Sequence, residues 1–442
     1  MPHRSFIRML ATALLAGEQT RERILERTVR TLGRPWPWLA PLADRYLDAF
    51  QSRTRPRRRE VVEFLHRDES FRTALAKHAD ELQIERWWPE TQRMQPAAAA
   101  RTWNVPPIES VRALADWLKV APGELDWYAD LKGLGLHKGG DRLHHYTYRF
   151  LEKRGGDIRV LEAPKPKLKH LQRQILSGIL EGIPMHDSVH GFRKGRSTIT
   201  FVQPHAGRSA VLRIDLQDFF PSLTGSRIQA FFRTAGYTEA VADLLGGVCT
   251  NVVPPHVWKP AVSRFHSRAT QQAHVLYSRP HLPQGAPTSP ALANACAYRI
   301  DCRMEGIAQS AGAEYTRYAD DLAFSGDGDF ARNARRFSLH VAAILLEEGF
   351  HVNHRKTRLM RQGVRQYLAG LVANHTINVP RPDFDLLKAT LTNCARLGPA
   401  SQNREGNPAF RAHLEGRVAF MQGVNPAKAS RLRAILDEIR WE

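Results

Sequence analysis

Two adjacent acidic residues, Asp320 and Asp321, lie in the middle of Tyr315-Thr-Arg-Tyr-Ala-Asp-Asp-Leu-Ala-Phe-Ser325, with apolar and aromatic residues on both sides. Such flanks read as strands, and Asp accepts tight-turn backbone, so the stretch is predicted to be a β-hairpin with both carboxylates at its tip. Neighbouring carboxylates repel one another. They coexist in open water, or where a divalent cation sits between them and a third acidic group. The candidate for that group lies far upstream, in Val211-Leu-Arg-Ile-Asp-Leu-Gln-Asp-Phe-Phe220. Side chains alternate across a strand, so Leu212, Ile214 and Leu216 share one face while Val211, Arg213 and Asp215 share the other. Asp215 therefore stands on a strand with an apolar back, and only the fold can bring it to Asp320 and Asp321.

Tyr-Ala-Asp-Asp at 318–321, combined with Asp-x-x-x-Phe-Phe at 215–220, resembles the pair of catalytic motifs of reverse transcriptases. The resemblance implies an α+β right-hand polymerase with fingers, an antiparallel-sheet palm and a helical thumb. It also implies two-metal phosphoryl transfer with Mg2+ (Mn2+ as a possible substitute). Asp215 and Asp320 are then the bridging ligands with Asp321 beside them, and the Leu216 carbonyl completes the nucleotide-side ion. Phe220, five positions after the first catalytic Asp, takes the place of the family's aromatic residue under the sugar of the incoming nucleotide.

Other strings extend the match. Tyr146–Phe150 and Ile158–Leu161 read as two strands joined by a Gly-rich turn. In the family such a ribbon folds over the nucleotide, which gives Lys153 and Arg159 the triphosphate. His190-Gly-Phe-Arg-Lys-Gly-Arg-Ser197 suits a loop approaching a nucleic-acid backbone, with Arg193, Lys194 and Arg196 as contacts, and resembles a segment of retron and group II intron enzymes. His281-Leu-Pro-Gln-Gly-Ala-Pro-Thr-Ser-Pro290 carries the family's Pro-Gln-Gly, implying that Gln284 and Gly285 meet nucleotide and template, with glycine there because a side chain would block close approach. Lys356 matches the lysine of the fourth palm motif, either a general acid toward pyrophosphate or a phosphate contact. Gln366–Asn374 resembles the primer-grip hairpin.

Among reverse transcriptases the motifs are most similar to the bacterial retron type, which copies part of a structured RNA into DNA that stays joined to it. Two places depart from that pattern: Phe201-Val-Gln-Pro-His205 stands for Asn-Ala-x-x-His, and Leu368-Ala-Gly370 for Val-Thr-Gly. His205 and Gly370 remain, and the resemblance implies that both serve recognition of the companion RNA. The expected partners are a structured non-coding RNA and its DNA copy, deoxynucleotides and an effector or toxin protein, in anti-phage defence. A non-retron defence enzyme is the alternative within the class. A catalytically silent RNA-binding scaffold of a toxin–antitoxin complex is the alternative outside it, and three acidic residues converging in a basic protein argue against it.

The 442 residues carry 64 Lys and Arg against 44 Asp and Glu, a net charge of +20, which points to a polyanionic partner and salt-sensitive binding. Four cysteines form no Cys-x-x-Cys pair, so neither a zinc site nor a disulfide framework is signalled, and a reducing cytoplasm is expected. The apolar run Met9–Gly17 leads into an amphipathic pattern and reads as a folded helix, and no run is long enough to span a membrane. The expected organisation is a basic helical extension over 1–100, fingers over 101–210, palm over 211–365, and primer grip with helical thumb over 366–442. The arginines of 53–59 read either as a phosphate grip or as a solvated loop, Ala97–Ala100 as part of a linker, and 245–280 as irregular.

Overall fold

A computed structural model of the chain describes residues 2–50, 56–86, 92–136, 144–152, 158–258 and 268–441. The chain gathers into two compact units, Met1–Pro184 with Phe220–Cys296, and Met185–Phe219 with Ala297–Glu442.

The first unit opens with helices Pro2–Leu15, Arg21–Leu32, Leu39–Phe50, Arg58–Arg67 and Glu69–Lys77. Their starts and stops follow local chemistry: the Thr20 hydroxyl accepts from the Arg23 amide, and Gly33 ends its helix at φ 76°. Leu10, Leu14, Ile24, Leu42, Tyr46, Val61 and Phe71 form their common core, so the apolar N-terminal run is indeed a packed helix. The expected linker at Ala97–Ala100 is instead docked: the amides of Gln95 and Ala97 donate to Gly236 and Thr234, and Ala100 is buried. Strands β1 (Tyr146–Glu152) and β2 (Ile158–Pro164) form an antiparallel ribbon. The turn between them, with Lys153, lies outside the described residues. The stretch read as irregular contains helical structure: Glu239–Cys249 runs into it and Arg268–Tyr277 lies within it. The many His, Pro and Arg residues there obscured that helical periodicity.

The second unit is built on β3 (Ala210–Asp215), β4 (Glu314–Tyr318), β5 (Asp321–Gly326) and β6 (Arg358–Arg361), in the antiparallel order β4-β5-β3-β6. Helices Tyr298–Ser310 and Gly328–Glu347 pack on this sheet, the latter bringing Phe337 against Phe324. The Gln366–Asn374 hairpin forms as β7 (Tyr367–Leu368) and β8 (Leu371–Val372), with Ala369 and Gly370 at positive φ in the turn. Helices Arg381–Leu397, Phe410–Val424 and Pro426–Asp437 then close a second core around Leu391, Val418 and Leu432.

Candidate active site

β3 and β5 pair so that Asp215 stands opposite Asp321. β4 and β5 close with Tyr318 opposite Asp321, leaving Ala319 and Asp320 as a two-residue turn. Only Asp320 is thus in the turn itself, while Asp321 opens the strand. The positive φ that such a turn needs falls on Ala319 (56°), not on an Asp. Several contacts hold this strained backbone. The Leu216 amide donates to the Asp320 carbonyl at 2.8 Å, and the Asn353 amide to the Asp215 carbonyl at 2.8 Å. The Arg317 guanidinium, itself buried against Asp301, donates to the Ala319 carbonyl at 3.1 Å. Gly191 lies directly against the turn, where a Cβ would come within 2.6 Å of the Ala319 amide. This gives the His-Gly-Phe string a structural duty beside any contact made by its cations.

The three carboxylates differ in their partners. Burial raises the Asp320 carboxyl to about 6, with the Asp321 and Asp215 charges adding to it. Burial also raises Asp321, opposed by Arg213, which donates to both its oxygens at 2.8 Å. Asp215 Oδ2 accepts from Lys356 Nζ at 3.0 Å, while its Oδ1 is buried with no hydrogen-bond partner among the described residues. Among the described residues no three acidic, His or Cys side chains are already gathered into a metal-binding cluster. The donor chemistry nevertheless fits a hard divalent cation: an orphaned carboxylate oxygen on Asp215 and a crowded carboxyl on Asp320 both gain from one. The β3 strand stops here. Asp218 adopts φ 46° and Phe219–Ser222 is a helical turn, so strand alternation does not continue through Phe219 and Phe220. Phe219 is nonetheless buried, its ring 5.8 Å from that of Phe350, and Phe220 is half-buried.

Within the first unit Arg159 is exposed on β2. The Gln284 carbonyl accepts from the Glu162 amide at 2.8 Å. Gly285 has φ 129°, and a Cβ there would lie 2.8 Å from the Glu162 carbonyl, so this backbone contact by itself requires glycine. In the second unit Lys194 and Arg196 are exposed, Arg193 is tied to the His186 carbonyl at 3.0 Å, and Gly370 is exposed at the tip of its hairpin. His205 corrects the sequence reading. It is fully buried, bonded to Ser325 Oγ at 2.6 Å and Thr316 Oγ1 at 2.7 Å, and a side chain with no surface does not contact nucleic acid. Burial lowers its imidazole to about 3, so it braces the sheet as a neutral ring. Sequence reasoning missed Arg213 as the anchor of Asp321, although its place two residues before Asp215 on the same face was the available signal.

Among the described residues no helix is long and apolar enough to cross a membrane. A family model described as reverse transcriptase (RNA-dependent DNA polymerase) matches residues 151–377. The chain is 39% identical over 302 residues to the retron Mx65 reverse transcriptase of Myxococcus xanthus, a match covering 68% of this chain and 66% of that one. It is 35% identical over 354 residues to the retron Mx162 reverse transcriptase of the same organism, covering 77% and 69%. Against the retron Ec86 reverse transcriptase of Escherichia coli the identity is 28% over 300 residues, covering 66% and 82%. With Asp215, Asp320 and Asp321 brought together within the second unit and these relatives beside it, the chain belongs to the reverse transcriptases, the RNA-dependent DNA polymerases, and among them to the bacterial retron type.

Proposed function

We propose that this protein copies part of a structured RNA into DNA, with nucleotidyl transfer centred on Asp215, Asp320 and Asp321. The observation that carries the reading is the register of β3 against β5. It sets Asp215 opposite Asp321, next to the Asp320 turn, and Asp215 keeps one buried oxygen without a partner. Asp215 and Asp320 are the residues suited to hold divalent cations, with the Leu216 carbonyl beside them. Two Mg2+ ions bound there supply activation of the primer hydroxyl and neutralisation of charge on the departing pyrophosphate. Arg213 keeps Asp321 oriented. Lys356, half exposed and already at 3.0 Å from Asp215, is available to protonate or bind a phosphate oxygen. Arg159, Gln284, Gly285 and Phe220 are assigned to the incoming nucleotide, with Lys153 beside them in the family pattern. Lys194, Arg196 and the Gly370 hairpin tip are assigned to nucleic acid.

The retron relatives favour a companion RNA over generic templates. Sequencing the RNA and DNA that co-purify with the protein tests this. A discrete short DNA joined to a small structured RNA is the expected result. Recovery of messenger fragments alone would move the reading to a non-retron defence enzyme, and absence of any primer extension would move it to a silent scaffold.

A further inference from the structure

On the inward face of β2, Ile158 and Val160 are followed at the next inward position by Glu162, which has 0% exposure. An acidic residue where the pattern calls for an apolar one costs stability unless its charge is matched. Here the match is complete. One carboxylate oxygen accepts from His281 Nε2 at 2.9 Å and the other from Asn251 Nδ2 at 2.7 Å. His281, also fully buried, places Nδ1 at 2.7 Å from the Arg279 carbonyl. That carbonyl only accepts, so Nδ1 carries a hydrogen. The remaining proton lies between Nε2 and Glu162, as an imidazolium–carboxylate pair or as a carboxylic acid donating to a neutral ring. Both forms are net neutral, and both tie the two side chains together.

The backbone repeats the connection. His281 and Asn251 exchange amide–carbonyl bonds of 3.0 Å, and Glu162 donates to the Gln284 carbonyl three residues beyond His281. Tyr148, opposite Glu162 on β1, accepts a second bond from Asn251 at 3.2 Å. Both strands of the ribbon and the Pro-Gln-Gly loop are thereby joined through one buried carboxylate.

We propose that Glu162 and His281 are positioning residues that lock the ribbon bearing Arg159 to the loop bearing Gln284 and Gly285, so that both reach the incoming nucleotide as one rigid surface. This rests on the nucleotide assignment given above. Substrate contacts lose value steeply when their support loosens, and the loss should fall on nucleotide capture.

The test is single-nucleotide addition by the full-length enzyme on a primed RNA template, with KM for the deoxynucleotide, kcat and primer–template affinity measured separately. Glu162→Ala is expected to raise KM about tenfold or more while kcat and primer–template affinity stay within about threefold. Glu162→Gln, whose amide accepts from Asn251 and donates to a neutral His281, is expected to restore most of the loss. Asn251→Ala, a smaller truncation at the same carboxylate, is expected to raise KM in the same direction and decides the matter where Glu162→Ala does not fold. Unchanged KM in whichever of these folds overturns the proposal, as does an equal loss of KM, kcat and template affinity that Glu162→Gln fails to rescue. Arg159→Ala separates the two levels. Its KM must rise if the ribbon meets the nucleotide at all, and a rise there with no effect at Glu162 removes the clamp alone.

Discussion

Arg213 grips Asp321 through two hydrogen bonds of 2.8 Å, reaching from β3 to the first residue of β5. The second Asp of the pair is therefore already committed to a cation of the chain, whereas Asp320 feels the charge of Lys356 without forming a salt bridge among the described residues. Arg213→Met would leave the Asp321 carboxylate, 16% exposed, without its partner. Removing one member of a buried pair costs about 3–5 kcal/mol, and with both groups partly solvated about 2 kcal/mol is expected here. Arg213→Lys keeps the charge, loses the fork and should fall between the two. Urea midpoints and primer-extension rates check this, and a Met variant with wild-type values for both would remove Arg213 from the site.

Asp320 should show a trade between stability and activity. Burial and the Asp321 and Asp215 charges raise its carboxyl to about 6, so its ionised form is disfavoured in the folded protein without divalent cations. A raised acidic pKa means that the cost of ionising this residue in the fold is complete above pH 6 and is relieved as pH falls from there toward the ordinary 3.8. Asp320→Asn should thus melt no lower than wild type, and higher above pH 6, while primer extension falls by several orders of magnitude. Near-normal extension by this variant would sink the assignment of the catalytic carboxylates.

The alternation in Val211–Asp215 and the paired Asp residues were enough to anticipate the central hairpin and the strand that meets it, because period-2 patterning and turn chemistry are local. Partners fixed by pairing were not legible. Nothing near Lys356 in the chain announces Asp215, and nothing near Glu162 announces His281. Sequence patterns treat a charge as exposed, so Arg317, buried against Asp301, left no signature, and His205 was read as a contact when it is a buried brace. Gly285 was expected for its approach to substrate, yet its own backbone neighbour Glu162 is sufficient reason for it.

His205 should make the second unit acid-sensitive. Its imidazole is lowered to about 3 in the fold, against about 6.5 in an unfolded chain, so the unfolded state binds the proton first as pH drops. The stability conferred by the neutral ring is complete above 6.5 and is lost progressively toward 3. Between pH 7.5 and 5 the loss is about 2 kcal/mol from this residue. His190, lowered to about 4 by burial with Arg196 and Arg193 adding to it, acts in the same sense in every variant. Denaturant midpoints of wild type and His205→Gln at pH 7.5 and pH 5 isolate the effect: the variant is less stable at the higher pH, and the gap should narrow by that amount. A gap independent of pH would mean that His205 is not held neutral.

Phe219 and Phe220 are neighbours that differ in burial. Phe219 is 3% exposed, with its ring 5.8 Å from Phe350, so it is core. Phe220 is half-buried. Both residues lie in the helical turn that begins at Phe219, and the difference in burial supports dividing them. A ring under the sugar of the incoming nucleotide leaves no room for a 2′-hydroxyl, so selection for deoxynucleotides arises from a clash built against the ribonucleotide. Phe220→Ala is expected to admit ribonucleotides with much less discrimination while deoxynucleotide addition largely survives. Phe219→Ala should instead cost about 3–5 kcal/mol of stability, the usual loss for truncating a buried Phe, with its sugar preference intact. Incorporation of each nucleotide type by the two variants, read alongside their denaturation midpoints, decides the matter. A deoxy-over-ribo preference unchanged in Phe220→Ala would refute the gate and return both rings to the core.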